Sequence, residues 1–298
     1  MRIILTGSCG QLGREISILL SSRKSFYHQV FRDELHLIEV NSSQLDITNQ
    51  NETATLIKSV KPSLIINCAA YTNVDQAEEA AELAYQVNAL GPKNLALGAG
   101  TVGAKLVHIS TDYVFDGRGI WQGNQLIPYG ETDKTNPINV YGKTKLAGEI
   151  FVRDLCSQSF ILRTAWLYGE KGPNFVKTIM AASKRKERLQ VVHDQFGCPT
   201  NAADLAAFLL DLAATEAYGL YHCTGKGSCS WFEFASKIVS LSGGKAMVEP
   251  IDSGQLTRRA LRPQYAALDN QRLEAVLGKT MPPWEASLEA FIKNMPTS

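Results

Sequence analysis

Stretches of continuous hydrophobic residues, each long enough for a strand, recur along the first half of the chain. They are rich in Ile, Val, Leu and Phe and lack strict polar alternation, which indicates strands buried on both faces of a sheet. Segments of helix length separate them, as in βα units on a parallel sheet. The pattern predicts strands at Arg2–Thr6, Leu35–Val40, Ser63–Ala70, Lys105–Ser110 and Phe160–Trp166, and helices at Gln11–Ser21, Asn51–Val60, Gln76–Asn88 and Tyr141–Leu155. The predicted fold class is therefore α/β, with a doubly wound parallel sheet.

The second half of the chain has a mixed pattern. It predicts a helix near Asn174–Lys186, a strand near Leu189–Val192, a helix at Ala203–Ala214 and a short strand at Leu220–Thr224. We expect a sheet domain over residues 1–168 and a smaller, mixed α/β lobe over residues 169–298. An element near residues 203–225 is expected to return to the main sheet.

Composition and charge argue against several kinds of binding partner. The chain has 298 residues and a net charge of only +1, so no strong field recruits nucleic acid or an acidic membrane surface. Its six cysteines form no Cys-x-x-Cys pair, which argues against a zinc site or a disulfide framework. No apolar run approaches the ~20 residues of a membrane span. These features predict a cytoplasmic protein that acts on a small molecule.

Three glycines follow the first predicted strand and open the first predicted helix. The spacing Gly-x-x-Gly-x-x-Gly at Gly7, Gly10 and Gly13 leaves room for a dinucleotide pyrophosphate at a helix N-terminus. Such a turn can also be a mere tight connection, but its place between strand and helix favours the nucleotide. We therefore predict a Rossmann-type domain that binds NADH or NADPH.

The residues after the second strand leave the choice of nicotinamide open. Glu39 is the only acid there, and no arginine accompanies it. Asp46 has two readings of equal weight, a contact to adenine or a turn and capping residue.

Tyr141 and Lys145 form the strongest chemical signal. Their i, i+4 spacing on a predicted helix places both side chains on one face. A lysine ammonium within ~4–6 Å would pull the phenol pKa down from about 10, which suits a general acid. Thr111 ends the fourth strand, at the sheet edge where ligands of parallel sheets bind, and is the expected polariser of a substrate carbonyl.

Long motifs strengthen this interpretation. Together with the glycine turn and the Tyr/Lys pair, the chain contains the segments Asn67–Glu78, Asn139–Glu149, Arg163–Gly169, Asp194–Thr200, Gly219–His222 and Arg262–Pro263. In these segments it resembles the extended short-chain dehydrogenase/reductases, and within them the family of dTDP-4-dehydrorhamnose reductases. The resemblance runs nearly from end to end.

The resemblance implies roles for single residues. The catalytic triad would be Thr111, Tyr141 and Lys145. The cofactor would be bound by Gly7, Gly10, Gln11, Leu12 and Gly13 at the pyrophosphate, Asp46 and Ile47 at adenine, and Ala69, Ala70, Tyr71, Asn88, Tyr141 and Lys145 along the channel. The sugar pocket would be lined by Thr72, Val74, Tyr113 and Trp166.

The implied reaction is reduction of the C4 ketone of dTDP-4-dehydro-L-rhamnose to dTDP-L-rhamnose by NADPH or NADH, with Tyr141 as proton donor. Residues 1–168 would then bind NAD(P), and residues 169–298 would mainly bind the sugar. Two departures from the family pattern stand out: the connection through Arg118–Leu126 is longer, and Ala266 replaces a serine or threonine.

Other assignments remain open at this point. Glu15 matches one glutamate of a magnesium site found in some members, but no further ligand can be placed, so we predict no metal. A homodimer is compatible with the sequence. The rival functions are a nucleotide-sugar epimerase or dehydratase on the same scaffold, and a regulatory subunit similar to the methionine adenosyltransferase β subunit.

Overall fold

A parallel β-sheet forms the centre of the molecule in the computed structural model, which describes residues 1–22 and 35–295. The strands are β1 Arg2–Thr6, β2 His36–Val40, β3 Leu64–Asn67, β4 Lys105–Thr111, β5 Ile120–Gln122, β6 Gln125–Ile127, β7 Ser159–Thr164, β8 Leu167–Tyr168, β9 Arg188–Val192, β10 Phe196–Gly197, β11 Thr200–Asn201, β12 Gly219–His222, β13 Cys229–Ser230 and β14 Met247–Ile251. Within the described ranges six strands form the main sheet, in the order β12-β7-β4-β3-β1-β2, and every neighbouring pair is parallel.

Helices cover both faces of this sheet. The α-helices of the described residues, in chain order, are α1 Gln11–Ser21, α2 Gln50–Val60, α3 Val74–Ala77, α4 Ala81–Tyr85, α5 Gly91–Val102, α6 Val140–Leu155, α7 Phe175–Ser183, α8 Ala202–Ala213, α9 Trp231–Ser242, α10 Gln271–Leu277 and α11 Trp284–Asn294. One face packs against α1, α8 and α10, and the other against α2, α5 and α6. The fold class is the predicted one, a Rossmann-type doubly wound α/β sheet.

A second hydrophobic core belongs to the lobe. It joins Val176 of α7, Phe234 of α9 and Trp284 of α11 with strand residues Leu189 and Val191. Strands β9 and β14 form a separate parallel pair beside these helices. Strand β12, in contrast, lies in the main sheet beside β7, so the chain leaves the sheet for the lobe and returns to it.

Some predicted boundaries were wrong. The segment Gln76–Asn88 is not one helix: α3 and α4 are separated at Ala80, whose φ of −113° and ψ of 47° are not helical. A π-helical turn at Gln86–Leu90 then leads into α5, which the sequence analysis missed. The strands predicted to reach Ala70 and Trp166 end at Asn67 and Thr164.

Candidate active site

The turn between β1 and α1 is shaped by its glycines. Gly7 has φ +66°, a left-handed conformation that favours glycine, and a Cβ there would lie 2.6 Å from the backbone of Cys68 and Ala69. A Cβ on Gly13 would lie 2.4 Å from the Gly7 carbonyl oxygen, whereas one on Gly10 would lie 3.2 Å from that oxygen. Gly7 and Gly13 are thus required by the packing of the chain itself, as well as leaving room for a ligand.

Two adjoining cavities extend from this turn along the carboxyl edge of the sheet. The larger, of about 550 Å³, reaches from the turn past β4 to the lobe, and the smaller, of about 310 Å³, reaches to the end of β2. Both are lined by Cys9, Gly10, Cys68, Ala69 and Ala70. Gln11, Leu12 and Gly13 line the larger cavity, and Gly7 lines the smaller. The predicted residues of the turn, together with Ala69 and Ala70 of the predicted channel, therefore line one continuous cleft.

Asp46 and Ile47 line the smaller cavity, together with the neutral residues Asn41 and Ser42 that follow β2. The Asp46 carboxylate also accepts hydrogen bonds from the backbone N–H and the hydroxyl of Thr48, at 2.9 and 2.8 Å. It therefore forms the turn that precedes α2 while facing the cavity, so the structure is compatible with both readings of this residue.

Thr111, Tyr141 and Lys145 line the larger cavity together. Thr111 is the last residue of β4, and the other two lie on one face of α6. The start of α6 is fixed by Asn139, whose side chain accepts a hydrogen bond of 2.8 Å from the Gly142 N–H. Close packing at Gly142, where a Cβ would lie 2.1 Å from the Tyr113 carbonyl oxygen, brings this helix end against the segment that follows β4.

The expected lowering of the Tyr141 pKa by Lys145 is wrong for this ligand-free site. Burial raises the pKa of Tyr141 to about 12, a hydrogen bond with the Thr111 side chain lowers it, and the nearby Asp112 carboxylate raises it. The Lys145 ammonium donates instead to the Ile109 carbonyl oxygen, at 2.5 Å. Tyr141 is consequently a neutral phenol at physiological pH, the form that a proton donor requires.

Lys145 is 2% exposed, and this burial lowers its pKa to about 8. The Glu149 carboxylate, one turn further along α6, raises the pKa and limits the effect. The sequence analysis assigned no role to Glu149, although its i, i+4 spacing from Lys145 was a usable signal.

Asp112 is a second residue that the sequence analysis missed. It is 2% exposed, lines the larger cavity, and accepts a hydrogen bond of 2.9 Å from the Thr111 hydroxyl through Oδ1. Its Oδ2 has no hydrogen-bond partner, and burial raises the pKa of the carboxyl to about 7. Its position directly after Thr111 in the sequence could have identified it.

Two of the four predicted sugar residues, Thr72 and Trp166, line the larger cavity. Trp166 has φ +46°, which is unusual for a residue with a side chain, and its ring stacks on Trp231 with centroids 3.5 Å apart. Gly197 permits this placement, because a Cβ there would lie 2.5 Å from the indole. The ring of Tyr113 packs edge-on against Tyr141 at 5.7 Å.

Some predicted residues are not among those that line the two cavities, namely Tyr71, Val74, Asn88 and Tyr113. Asn88 is fully buried. Its side-chain Oδ1 accepts a hydrogen bond from the Tyr71 N–H at 2.8 Å, and its Nδ2 donates one to the Tyr71 carbonyl oxygen at 3.0 Å. It also donates to the Thr144 hydroxyl on α6, at 3.1 Å. Asn88 thus lies outside the two cavities and joins the Tyr71 loop to α6.

The long connection through Arg118–Leu126 forms the β5–β6 hairpin. It is anchored by the Tyr129 hydroxyl, which accepts from the Gly119 N–H at 2.7 Å, and by a β-bridge between Arg118 and Tyr265. Trp121 on the hairpin is 64% exposed. Ala266 is buried, and its N–H donates to the Phe196 carbonyl oxygen. Neither departure from the family pattern contributes a residue to the two cavities.

Two kinds of feature are absent from residues 1–22 and 35–295. No helix in these ranges is long and apolar enough to cross a membrane. The same ranges contain no group of three or more His, Cys, Asp or Glu side chains that could hold a metal ion.

Comparisons with known proteins agree with the motifs. The chain is 37% identical to the dTDP-4-dehydrorhamnose reductase of Aggregatibacter actinomycetemcomitans, over 97% of both chains. The solved structure of a dTDP-4-dehydrorhamnose reductase from Clostridium acetobutylicum has a TM-score of 0.91 at 44% identity, covering 98% of this chain and 99% of that one. The enzyme from Bacillus anthracis, solved in complex with NADP, has a TM-score of 0.90 at 41% identity and 99% coverage of both chains.

The family model described as RmlD substrate binding domain matches residues 1–297. The resemblance inferred from the motifs is thereby confirmed, and the chain belongs to the RmlD substrate binding domain family.

Proposed function

We propose that this protein is an NADPH-dependent reductase that converts the C4 ketone of dTDP-4-dehydro-L-rhamnose to the alcohol of dTDP-L-rhamnose. The observation that carries the proposal is the convergence of Thr111, Tyr141 and Lys145 on a cavity that continues into the glycine turn. The names of the compared reductases support the substrate, and the NADP complex of the Bacillus anthracis enzyme supports the cofactor.

The cleft fits a dinucleotide. Gly7, Gly10 and Gly13 leave the N-terminus of α1 open, so its backbone N–H groups and helix dipole would hold the pyrophosphate. Asn41 and Ser42, the lining residues directly after β2, carry no charge that would repel a 2′-phosphate. When bound, the reduced nicotinamide supplies the hydride for C4.

The protein's own contribution is the proton. Tyr141, kept neutral by burial, donates its phenolic proton to the alkoxide that forms at C4, which is a stronger base than phenolate. The Thr111 side chain interacts with the same phenol and lowers its pKa. The Lys145 ammonium lines the same cavity, where it would hold the nicotinamide ribose.

Further parts of the proposal concern the lobe and the setting of the enzyme. Trp166, held by its stack on Trp231, would form the wall against which the sugar packs. We assign residues 1–168 to cofactor binding and residues 169–298 mainly to sugar binding, and we place the enzyme in the cytoplasm. The six cysteines, all free thiols, fit a reducing compartment. Tyr71, Val74, Asn88 and Tyr113 stay predictions as ligand contacts.

The test is the oxidation of NADPH, followed by its near-ultraviolet absorbance, with dTDP-4-dehydro-L-rhamnose generated in situ. Tyr141→Phe should lower turnover by roughly 10²–10⁴-fold, because it removes the proton donor, while NADPH affinity stays near the wild-type value. Tyr85→Phe, at a partly exposed tyrosine on α4, is the matched control and should leave turnover unchanged.

Each alternative has its own outcome. Oxidation of NADPH that survives Tyr141→Phe would remove Tyr141 from its role. A purified protein that retains its nicotinamide through turnover would indicate an epimerase or dehydratase. A wild-type protein that oxidises neither NADPH nor NADH would contradict the reductase and favour a regulatory subunit.

A further inference from the structure

A buried ion pair lies behind the catalytic helix. Arg163 of β7 donates to both carboxylate oxygens of Glu149 on α6, from Nε to Oε1 at 2.9 Å and from Nη2 to Oε2 at 2.7 Å. The side chains are only 4% and 6% exposed. Removing such charges from water carries a large desolvation penalty, which their mutual attraction only partly offsets. A hydrophobic pair of similar size would fill the space without this cost, so the pair calls for a reason other than stability.

The Glu149–Arg163 pair also contacts neutral side chains, and together these residues link α6, β4, β7 and β12. The Ser110 hydroxyl of β4 donates to Glu149 Oε1 at 2.5 Å, and Arg163 Nη1 lies 3.5 Å from His222 Nε2 on β12. The Arg163 guanidinium lies 5.1 Å from the centre of the Phe115 ring. Since Ser110 directly precedes Thr111, the Glu149 carboxylate joins the catalytic helix to the catalytic end of β4.

The same carboxylate faces Lys145. The groups that interact with the Lys145 ammonium are Glu149 on its own helix, Cys68 after β3, and His108 on β4, while Tyr141 shares its cavity wall. Burial raises the pKa of Cys68 and Tyr141 to about 12 and lowers the pKa of His108 well below its usual value. These three groups are therefore neutral at physiological pH. Glu149 is the remaining member of this set, and its carboxylate forms the buried ion pair with Arg163.

We propose that Glu149, fixed by Arg163 and Ser110, is a positioning residue that keeps the buried Lys145 charged and holds its helix against Thr111. The geometry gives the carboxylate two tasks, since one oxygen binds the strand that ends in Thr111 and the charge lies one helical turn from the lysine. The effect of Glu149 on the charge of Lys145 belongs to the ligand-free protein. Its effect on turnover rests on the proposed reductase function.

The direct test is the titration of Lys145 by NMR in protein labelled with ¹³C-lysine and free of ligand. The Lys145 resonance is assigned by its absence from Lys145→Arg. Glu149→Gln keeps the shape and most hydrogen bonds of the side chain but removes its charge, so we expect the Lys145 pKa to fall by roughly one unit from its wild-type value. An unchanged Lys145 pKa in folded Glu149→Gln would overturn the proposal.

Two controls separate charge from packing. Ser110→Ala removes a hydrogen bond to Glu149 without removing charge, and should leave the Lys145 pKa unchanged. Asp154→Asn makes the same charge change at an exposed position of α6 and should also leave it unchanged. Equal shifts in Glu149→Gln and Ser110→Ala would mean that only packing matters, which would contradict the electrostatic role.

Glu149→Gln leaves Arg163 buried without a counter-charge and could unfold the protein. The double variant Glu149→Gln/Arg163→Met removes both charges and restores a neutral interior. Because Glu149 is among the groups that act on the Lys145 charge and Arg163 is not, the Lys145 pKa should fall in this variant too. A pKa equal to the wild-type value would count against the proposal.

Turnover supplies an independent second readout. With Lys145 neutral over more of the pH range, the alkaline limb of the kcat/KM profile should move to lower pH in Glu149→Gln, in parallel with the NMR titration. If the Lys145 pKa falls while the wild-type protein shows no reductase activity, the charge assignment holds and the proposed function fails. If the wild type is active but Glu149→Gln changes neither the Lys145 pKa nor the pH profile of kcat/KM, the role proposed for Glu149 is wrong and the reductase function stands.

Discussion

Among single residues, Asp112 combines deep burial, a hydrogen bond from the Thr111 hydroxyl, and a second oxygen that has no partner among the described residues. Burial raises the pKa of its carboxyl to about 7, against about 3.9 in an unfolded chain. Between these values the folded protein binds more protons than the unfolded one. The contribution of Asp112 to stability is therefore full in acid and is lost as the pH rises through 7, by at most about 1.4 kcal/mol per pH unit.

We predict that Asp112→Asn removes this dependence. The amide keeps an acceptor for the Thr111 hydroxyl but cannot ionise, so the variant should gain stability relative to the wild type as the pH rises from 4 to 8. Urea unfolding at several pH values measures the difference in free energy of unfolding between the variant and the wild type. The effects of the buried His108 and His222 cancel in this difference, because both proteins contain these residues. A difference in stability between Asp112→Asn and the wild type that does not change with pH would refute the assignment.

The residues of the site differ in how far the sequence could predict them. Local spacing was sufficient for Gly10, Thr111, Tyr141 and Lys145, because a strand end or one helix face determines where each side chain lies. The pKa of Tyr141 was not predictable in the same way, because its direction depends on burial and on Asp112, which tertiary packing creates. The left-handed backbone of Trp166 likewise depends on Gly197, which lies thirty-one residues further along the chain.

At the scale of elements, the position of helix α6, which carries Tyr141 and Lys145, depends on how the helix begins. Asn139 is 2% exposed, caps the helix at the Gly142 N–H, and donates through Nδ2 to the Leu261 carbonyl oxygen at 2.8 Å. The cap thus joins the helix start, two residues before Tyr141, to the segment that leads into the Arg262–Pro263 motif. The position of α6, and with it the position of Tyr141, therefore depends on Asn139.

We predict that Asn139→Ala lowers the free energy of unfolding by about 1–2 kcal/mol, because a cap is lost and a carbonyl is left without its partner. It should also lower kcat by roughly 10- to 100-fold, since Tyr141 loses its fixed position. The matched control is Asn49→Ala, which removes the exposed cap of α2. The control should lose comparable stability and keep its kcat; loss of kcat in both variants would contradict the coupling.

The elements of the sheet were largely predictable, and the helix around residue 80 was not. Continuous apolar runs identified five strands of the main sheet, since burial on both faces leaves a strong hydrophobic signal. The break at Ala80 and the π-helical turn have no such signal, because alanine favours a helix. The turn places the Asn88 amide against the Tyr71 backbone, and this long-range contact can stabilise the local irregularity.

At the scale of the whole molecule, the sheet and the lobe have separate cores that the chain joins repeatedly. Leu205 and Leu209 of α8 pack in the sheet core, after the chain has already passed through lobe residues such as Val176 and Leu189. Near the C-terminus, Met281 still belongs to the sheet core, and Trp284 belongs to the lobe core. Neither core can open far without pulling residues out of the other.

We therefore predict a single cooperative unfolding transition. Three of the four tryptophans, Trp166, Trp231 and Trp284, lie in or against the lobe core, and Trp121 on the hairpin is exposed. In Trp121→Phe, tryptophan fluorescence reports on the lobe alone, and its urea transition should coincide with the loss of far-ultraviolet circular dichroism. A lobe transition that clearly precedes the loss of helix signal would show that the two cores unfold independently.

The return of β12 to the main sheet limits how sugar specificity could be exchanged between related enzymes. A recombinant that replaces everything after residue 168 would also replace α8 and the edge strand β12. It would therefore disturb the packing of the main sheet, at whose carboxyl edge the proposed nucleotide site lies. Crossovers would have to fall on both sides of the α8–β12 unit, with two donor pieces inserted around a retained middle. Shuffling of whole domains at one junction is therefore a poor route to new sugar substrates in this architecture.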